Sequence, residues 1–91
     1  MSDLYKARAE LSTLSDTLLA EVERRKQSLR IETYVEVRYM LNSVDDALVR
    51  SAEAATRKEW ERAEYESAKT RELIKRIQKA LQSDVPNYKV L

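Results

Sequence analysis

Read from Leu4, the apolar positions recur as Leu4, Ala7, Leu11, Leu14, Leu18 and Val22. Alternating steps of three and four place them on one face of a helix over about residues 3–27. Ser2 or Asp3 is suited to cap its start. Ser12, Thr13, Ser15 and Thr17 are moderate helix formers, so a bend or a restart capped by Asp16 is expected near Leu14–Asp16. The stretch Arg30–Val37 alternates briefly like a strand, but a lone strand has no partner. The longer row Tyr34, Val37, Leu41, Val44, Leu48, Ser51 and Ala55 overrules it and predicts a second helix over about 33–55. Ser43 followed by Asp46 marks a weak restart signal within it. Thr56 and Glu59 have capping-box spacing, and Trp60, Ala63, Ser67, Thr70, Ile74, Ile77 and Leu81 then line a third helix over about 58–82.

Short connections between such helices predict an all-α fold, an antiparallel three-helix bundle over residues 1–83. An elongated helical hairpin is the alternative, because nothing between Leu41 and Leu81 strictly breaks a helix. Residues 84–91 are expected to form an extended tail, since Pro86 cannot continue the helix and Val85 before it favours an extended shape.

The apolar bulk is unevenly spread. Between Arg50 and Glu72 the only large apolar or aromatic groups are Trp60 and Tyr65, and the rest of the face is Ala or Ser. Meanwhile Tyr5, Leu19, Tyr39, Val49 and Leu73 fall off the main seams. A thin core beside surplus apolar surface implies a second chain, so oligomerisation is expected. Tyr5, Leu19, Tyr39, Val49 and Trp60, with Tyr88 and Leu91 of the tail, are the candidate protein interface. Trp60 has a second reading, that of filling space among small neighbours.

Composition narrows the classes. The 91 residues contain no Gly, no Cys, no His and one Pro. Without Gly there is no phosphate-cradling loop, and without Cys or His no thiol catalysis and no common near-neutral base. Neither an enzyme nor a cofactor is expected. Hard cations take oxygen ligands, but Asp45-Asp46 diverge on a helix and Glu59, Glu61, Glu64 and Glu66 interleave with basic residues, so no metal site is expected either. No apolar run approaches a membrane span, which makes a cytoplasmic location the default and a membrane partner unexpected.

The 17 basic and 16 acidic residues nearly cancel, but the basic ones cluster. Arg24, Arg25, Lys26 and Arg30 close the first helix, and Lys75, Arg76 and Lys79 the third. In an up-down-up bundle both sets reach one pole, where they suit a nucleic acid. The competing reading is that cations at helix C-termini complement the helix dipole, as Asp3, Glu32, Glu36, Glu59 and Glu61 do at N-termini.

Tyr5 near the start and the run Arg71–Ile77 into Val85-Pro86-Asn87 somewhat resemble the N-terminal helical domain of GINS replication subunits. That family's small β domain has no counterpart in these residues. What it implies is a helical subunit of a replication assembly. The residues themselves point first to a small accessory or regulatory protein acting as a protein-interaction or oligomerisation module. A nucleic-acid-associated accessory protein is the alternative.

Overall fold

A computed structural model describes residues 2–84. Three helices make up the fold: α1 (Ser2–Arg24), α2 (Ile31–Thr56) and α3 (Trp60–Ser83). The chain is an all-helical bundle, in which α2 and α3 form the closest pair and α1 lies against both.

Helix α3 follows its expected spacing most closely. Ala63, Ser67, Thr70, Ile74, Ile77 and Leu81 are all buried. On α2 the buried row is Thr33, Val37, Leu41, Val44, Ala47, Ser51, Ala54 and Ala55. On α1 it is Leu11, Ser15, Leu18 and Val22, and here the sequence expectation needs correction: Leu14 is exposed and Ser15 points inward. Leu73, expected off the seam, is half-buried and packs against the main core. That core joins Leu11, Leu18, Val22, Leu29, Val37, Leu41, Val44, Ile74, Ile77 and Leu81. A second, smaller cluster is Ala54, Ala55 and Ala63, with Leu4 and Trp60 packed against it.

Neither expected bend interrupts a helix. The Thr13 and Thr17 hydroxyls donate to the carbonyls of Ala9 and Thr13 at 3.0 and 2.9 Å, and Ser43 donates to Tyr39. These hydroxyls satisfy themselves on the preceding turn, so they do not divert the backbone. α1 does stop earlier than expected, at Arg24, and α2 starts earlier, at Ile31.

The hairpin alternative with one long continuous helix gives way to a break at residues 57–59, and the break is not a capping box. Thr56 donates instead to the Ala52 carbonyl, and Glu59, the N-cap of α3, makes no side-chain cap bond. The chain turns through Lys58, at φ 61° in the left-handed region. The Lys58 amide donates to Ala55 and the Glu59 amide to Ala54, the paired bonds of a Schellman end. The motif usually recruits Gly, and here Lys carries it.

Beyond this turn Ser51 meets Ser67, and Arg50 meets Glu66, between α2 and α3. At the other end Arg30, just before α2, meets Asp84, just after α3. Ser51 also donates to the Ala63 carbonyl at 2.9 Å, so its buried hydroxyl is fully used.

Candidate functional site

Helix α2 has two apolar faces. Its buried row faces α1 and α3. At 3.6 residues per turn, Ile31, Val35, Tyr39 and Val49 fall within an arc of about 80° on the opposite side. They are 73, 59, 73 and 58% exposed, high for aliphatic and aromatic side chains of this size. Asn42 and Asp46 share the arc and are exposed. Val35, Tyr39, Asn42, Asp46 and Val49 step by four and three, the spacing of a seam that receives another helix.

Charge along this face is one-sided. Glu32, Glu36, Asp45, Asp46 and Glu53 are exposed, and none forms an ion pair among the described residues. The two arginines of α2 are turned aside. Arg38 meets Glu23 of α1 at 2.8 Å, and Arg50 meets the buried Glu66 of α3 at 3.2 Å. What remains outward is an apolar stripe bordered by carboxylates.

The start of α2 is finished by another part of the chain. Arg30 occupies the N-cap position and makes no side-chain cap bond. The carboxylate of Asp84, wholly buried, supplies the acceptor: its Oδ2 receives the Arg30 amide at 3.1 Å. Its Oδ1 lies 3.5 Å from the Arg30 guanidinium and takes no hydrogen bond among the described residues. Burial opposes the Asp84 charge, but the Thr33 hydroxyl, the Arg30 amide and the guanidinium groups of Arg30 and Arg25 outweigh it. They hold the carboxyl below its ordinary pKa. The exchange is mutual. α3 has no basic residue in its own last turn, and Arg25 donates to its Leu81 carbonyl at 3.3 Å while pairing with Glu21 at 3.1 Å.

This arrangement bears on the basic pole. Arg25 and Arg30 are occupied at helix ends. Lys26 stands 5.4 Å from the centre of the Tyr34 ring, and Lys75 is 3.8 Å from Glu72. Arg24, Arg76 and Lys79 are exposed. Lys75 also lines a groove with Leu11, Leu14 and Gln78, short of the pole itself.

The remaining interface candidates scatter. Tyr5 and Leu19 are exposed on α1, where the Arg8 guanidinium lies 4.8 Å from the centre of the Tyr5 ring. Trp60 is half-buried against Ala54, Ala55 and Ala63, in the space-filling role its small neighbours invite. Tyr88 and Leu91 lie outside the described residues, as do the side chains of Ser2 and Asp3. The structure unites Tyr39 and Val49 with Ile31 and Val35, which sequence reasoning passed over. The signal was present in residues 31–37: wound as a helix, the apolar and β-branched positions 31, 33, 35 and 37 divide into Thr33 and Val37 on the inner face and Ile31 and Val35 on the outer one.

No group of three or more acidic side chains that could hold a metal ion occurs among the described residues, and no described helix is long and apolar enough to cross a membrane. Comparison with protein-family models, with curated proteins and with solved structures gives no match for this chain. The resemblance to GINS subunits therefore gains no support, and the functional reading rests on the surface itself.

Proposed function

We propose that this chain is a non-enzymatic, cytoplasmic protein-interaction module that binds an amphipathic helix of a partner protein along the outer face of α2. The observation that carries the reading is the second apolar row on a helix whose core row is already covered. The contacts of Arg30 with Asp84 and of Ser51 with Ser67 support antiparallel packing of α2 and α3 within the three-helix scaffold behind it.

Magnitudes favour a charged partner over an apolar one. Burying the exposed parts of Ile31, Val35, Tyr39 and Val49 would contribute roughly 4–8 kcal/mol. Association costs a comparable amount, about 4–15 kcal/mol, so the stripe alone gives marginal affinity. The surplus has to come from the border. Five carboxylates with no ion pair among the described residues match a helix whose apolar seam is flanked by Lys and Arg, and they repel a second α2 face. The basic pole is the less supported surface, because four of its seven cations already have partners within the chain.

The test is a titration with two synthetic helices sharing a Leu seam, one flanked by Lys and Arg and the other by Glu. The basic helix is expected to bind, more weakly as salt rises, and the acidic one to be ignored. Val35→Glu or Tyr39→Glu should abolish binding while circular dichroism stays unchanged. Equal binding of both helices, or binding that survives Val35→Glu, overturns the reading. So does a defined dimer in light scattering across a hundredfold concentration range that Val35→Glu dissolves, because a second copy would then be the occupant.

A further inference from the structure

The last described residue, Asp84, is held against the first residues of α2. Its carboxylate bonds the Arg30 amide, and Ile31, which comes directly after Arg30, opens the exposed apolar row. The segment C-terminal to Asp84 therefore starts beside that row. It reads Val85-Pro86-Asn87-Tyr88-Lys89-Val90-Leu91: four apolar or aromatic side chains besides the proline, one cation and no acid. That chemistry complements a stripe of Ile, Val and Tyr bordered by Glu32 and Glu36.

We infer that residues 85–91 bind in cis on the first half of the outer face of α2, over Ile31, Val35 and Tyr39, and compete there with the partner helix. The competition rests on the function proposed above; the contact does not. Reach sets the extent. Seven residues span at most about 23 Å in an extended chain. Along a helix rising 1.5 Å per residue that covers about 15 positions, enough to pass Tyr39 and too few to reach Val49. Anchoring also favours cis over trans. With Asp84 fixed at Arg30, the effective concentration of the segment at Ile31 is of millimolar order, above what a second molecule supplies at ordinary protein concentrations.

The absence of Cys from the chain makes the contact directly testable. In the full chain carrying Tyr39→Cys and Tyr88→Cys, mild oxidation should give an intramolecular disulfide as the main product. The control pairs Tyr88→Cys with Tyr65→Cys, an exposed site near the start of α3 and about 27 Å along that helix from its end. It should stay reduced or cross-link between molecules. Failure of the first pair to close, closure between molecules, or equal closure of the control overturns the inference.

A second measurement separates this inference from the function it regulates. Tyr88→Asp should raise the affinity of the basic synthetic helix several-fold. If the disulfide forms and no helix binds either chain, the docking function fails and the cis contact stands. If the helix binds both chains equally and no disulfide forms, the function stands and the cis contact is wrong.

Discussion

The two ends of this molecule are built on opposite principles. Around the end of α1, the start of α2 and the end of α3, large aliphatic side chains converge: Leu18, Val22, Leu29, Val37, Leu41, Ile77 and Leu81. There the helix ends also finish one another, Asp84 at the start of α2 and Arg25 at the end of α3. Around the connection between α2 and α3 the buried residues are small, Ala47, Ser51, Ala54, Ala55, Ala63 and Ser67, with Glu66 the exception. Small residues let the two backbones approach closely, and Ser51 uses the proximity to bond both Ala63 and Ser67. One end is held by burial and by caps supplied from other helices, the other by close approach. The two should therefore answer oppositely to changes in side-chain volume.

The largest effect is expected at the aliphatic end. Ile77 is fully buried, and Ile77→Ala removes three carbons from a site closed on all sides. The loss should be roughly 2–5 kcal/mol, set by how far the surroundings relax. For a bundle this small that is a large part of its total stability. Urea unfolding followed by circular dichroism measures it. A loss below about 1 kcal/mol would show that this end collapses easily and would erase the contrast.

At the other end the damaging change is the reverse. Ala63 is fully buried, and its carbonyl takes the Ser51 hydroxyl. Ala63→Leu must push α2 and α3 apart or force strained rotamers, at a cost of about 1–3 kcal/mol. Ala63→Gly, by contrast, opens only a small void and should act mainly through its poorer helix propensity, about 1 kcal/mol. A stabilised Ala63→Leu variant would mean that the close approach is underpacked rather than tight.

How these ends read from sequence differs for physical reasons. The buried row of α3 was legible, because one row at three-four spacing buries one face. The capping box expected at its start does not form, however, and Leu73 packs on the core rather than off the seam. On α1, apolar character favours Leu14 over Ser15, yet Ser15 lies on the row with Leu11, Leu18 and Val22, and the helix rotation follows the majority. The outer face of α2 was half legible: Tyr39 and Val49 stand off the seam, while Ile31 and Val35 sit in a segment whose alternation passes briefly for a strand. The cap that Asp84 supplies to α2 was not legible. Arg30 and Asp84 are 54 residues apart, and a poor N-cap residue gives no hint of where its replacement resides.

That cap gives the next prediction, a conditional one. Asp84→Asn keeps shape and an acceptor for the Arg30 amide but removes the charge facing Arg30 and Arg25. It should cost about 1–2 kcal/mol at neutral pH. The folded Asp84 pKa is lowered from the ordinary 3.8, so the charge contributes its stability fully above that value and loses it as pH falls through the folded value. The gap between Asp84→Asn and the parent chain should therefore narrow below about pH 4. A gap that is constant from about pH 7 down to about pH 2.5 would assign the effect to shape rather than charge.

The smallest effect has the opposite sign and lies at the alanine-rich end. Lys58 holds φ 61° so that the Lys58 and Glu59 amides can close the end of α2. That conformation costs a residue with a Cβ roughly 1–2 kcal/mol, and Gly almost nothing. Gly offsets part of the gain by loosening the unfolded chain, about 0.4–1 kcal/mol. Lys58→Gly should thus stabilise the protein by roughly 0.5–1 kcal/mol. Lys58→Ala is the control, because it removes the same charge and keeps the Cβ. If both variants gain equally, the cost at this position is electrostatic, arising among Arg57, Lys58 and Arg62. If only Lys58→Gly gains, the close approach of α2 and α3 is maintained by a strained backbone, which the densely packed aliphatic end does without.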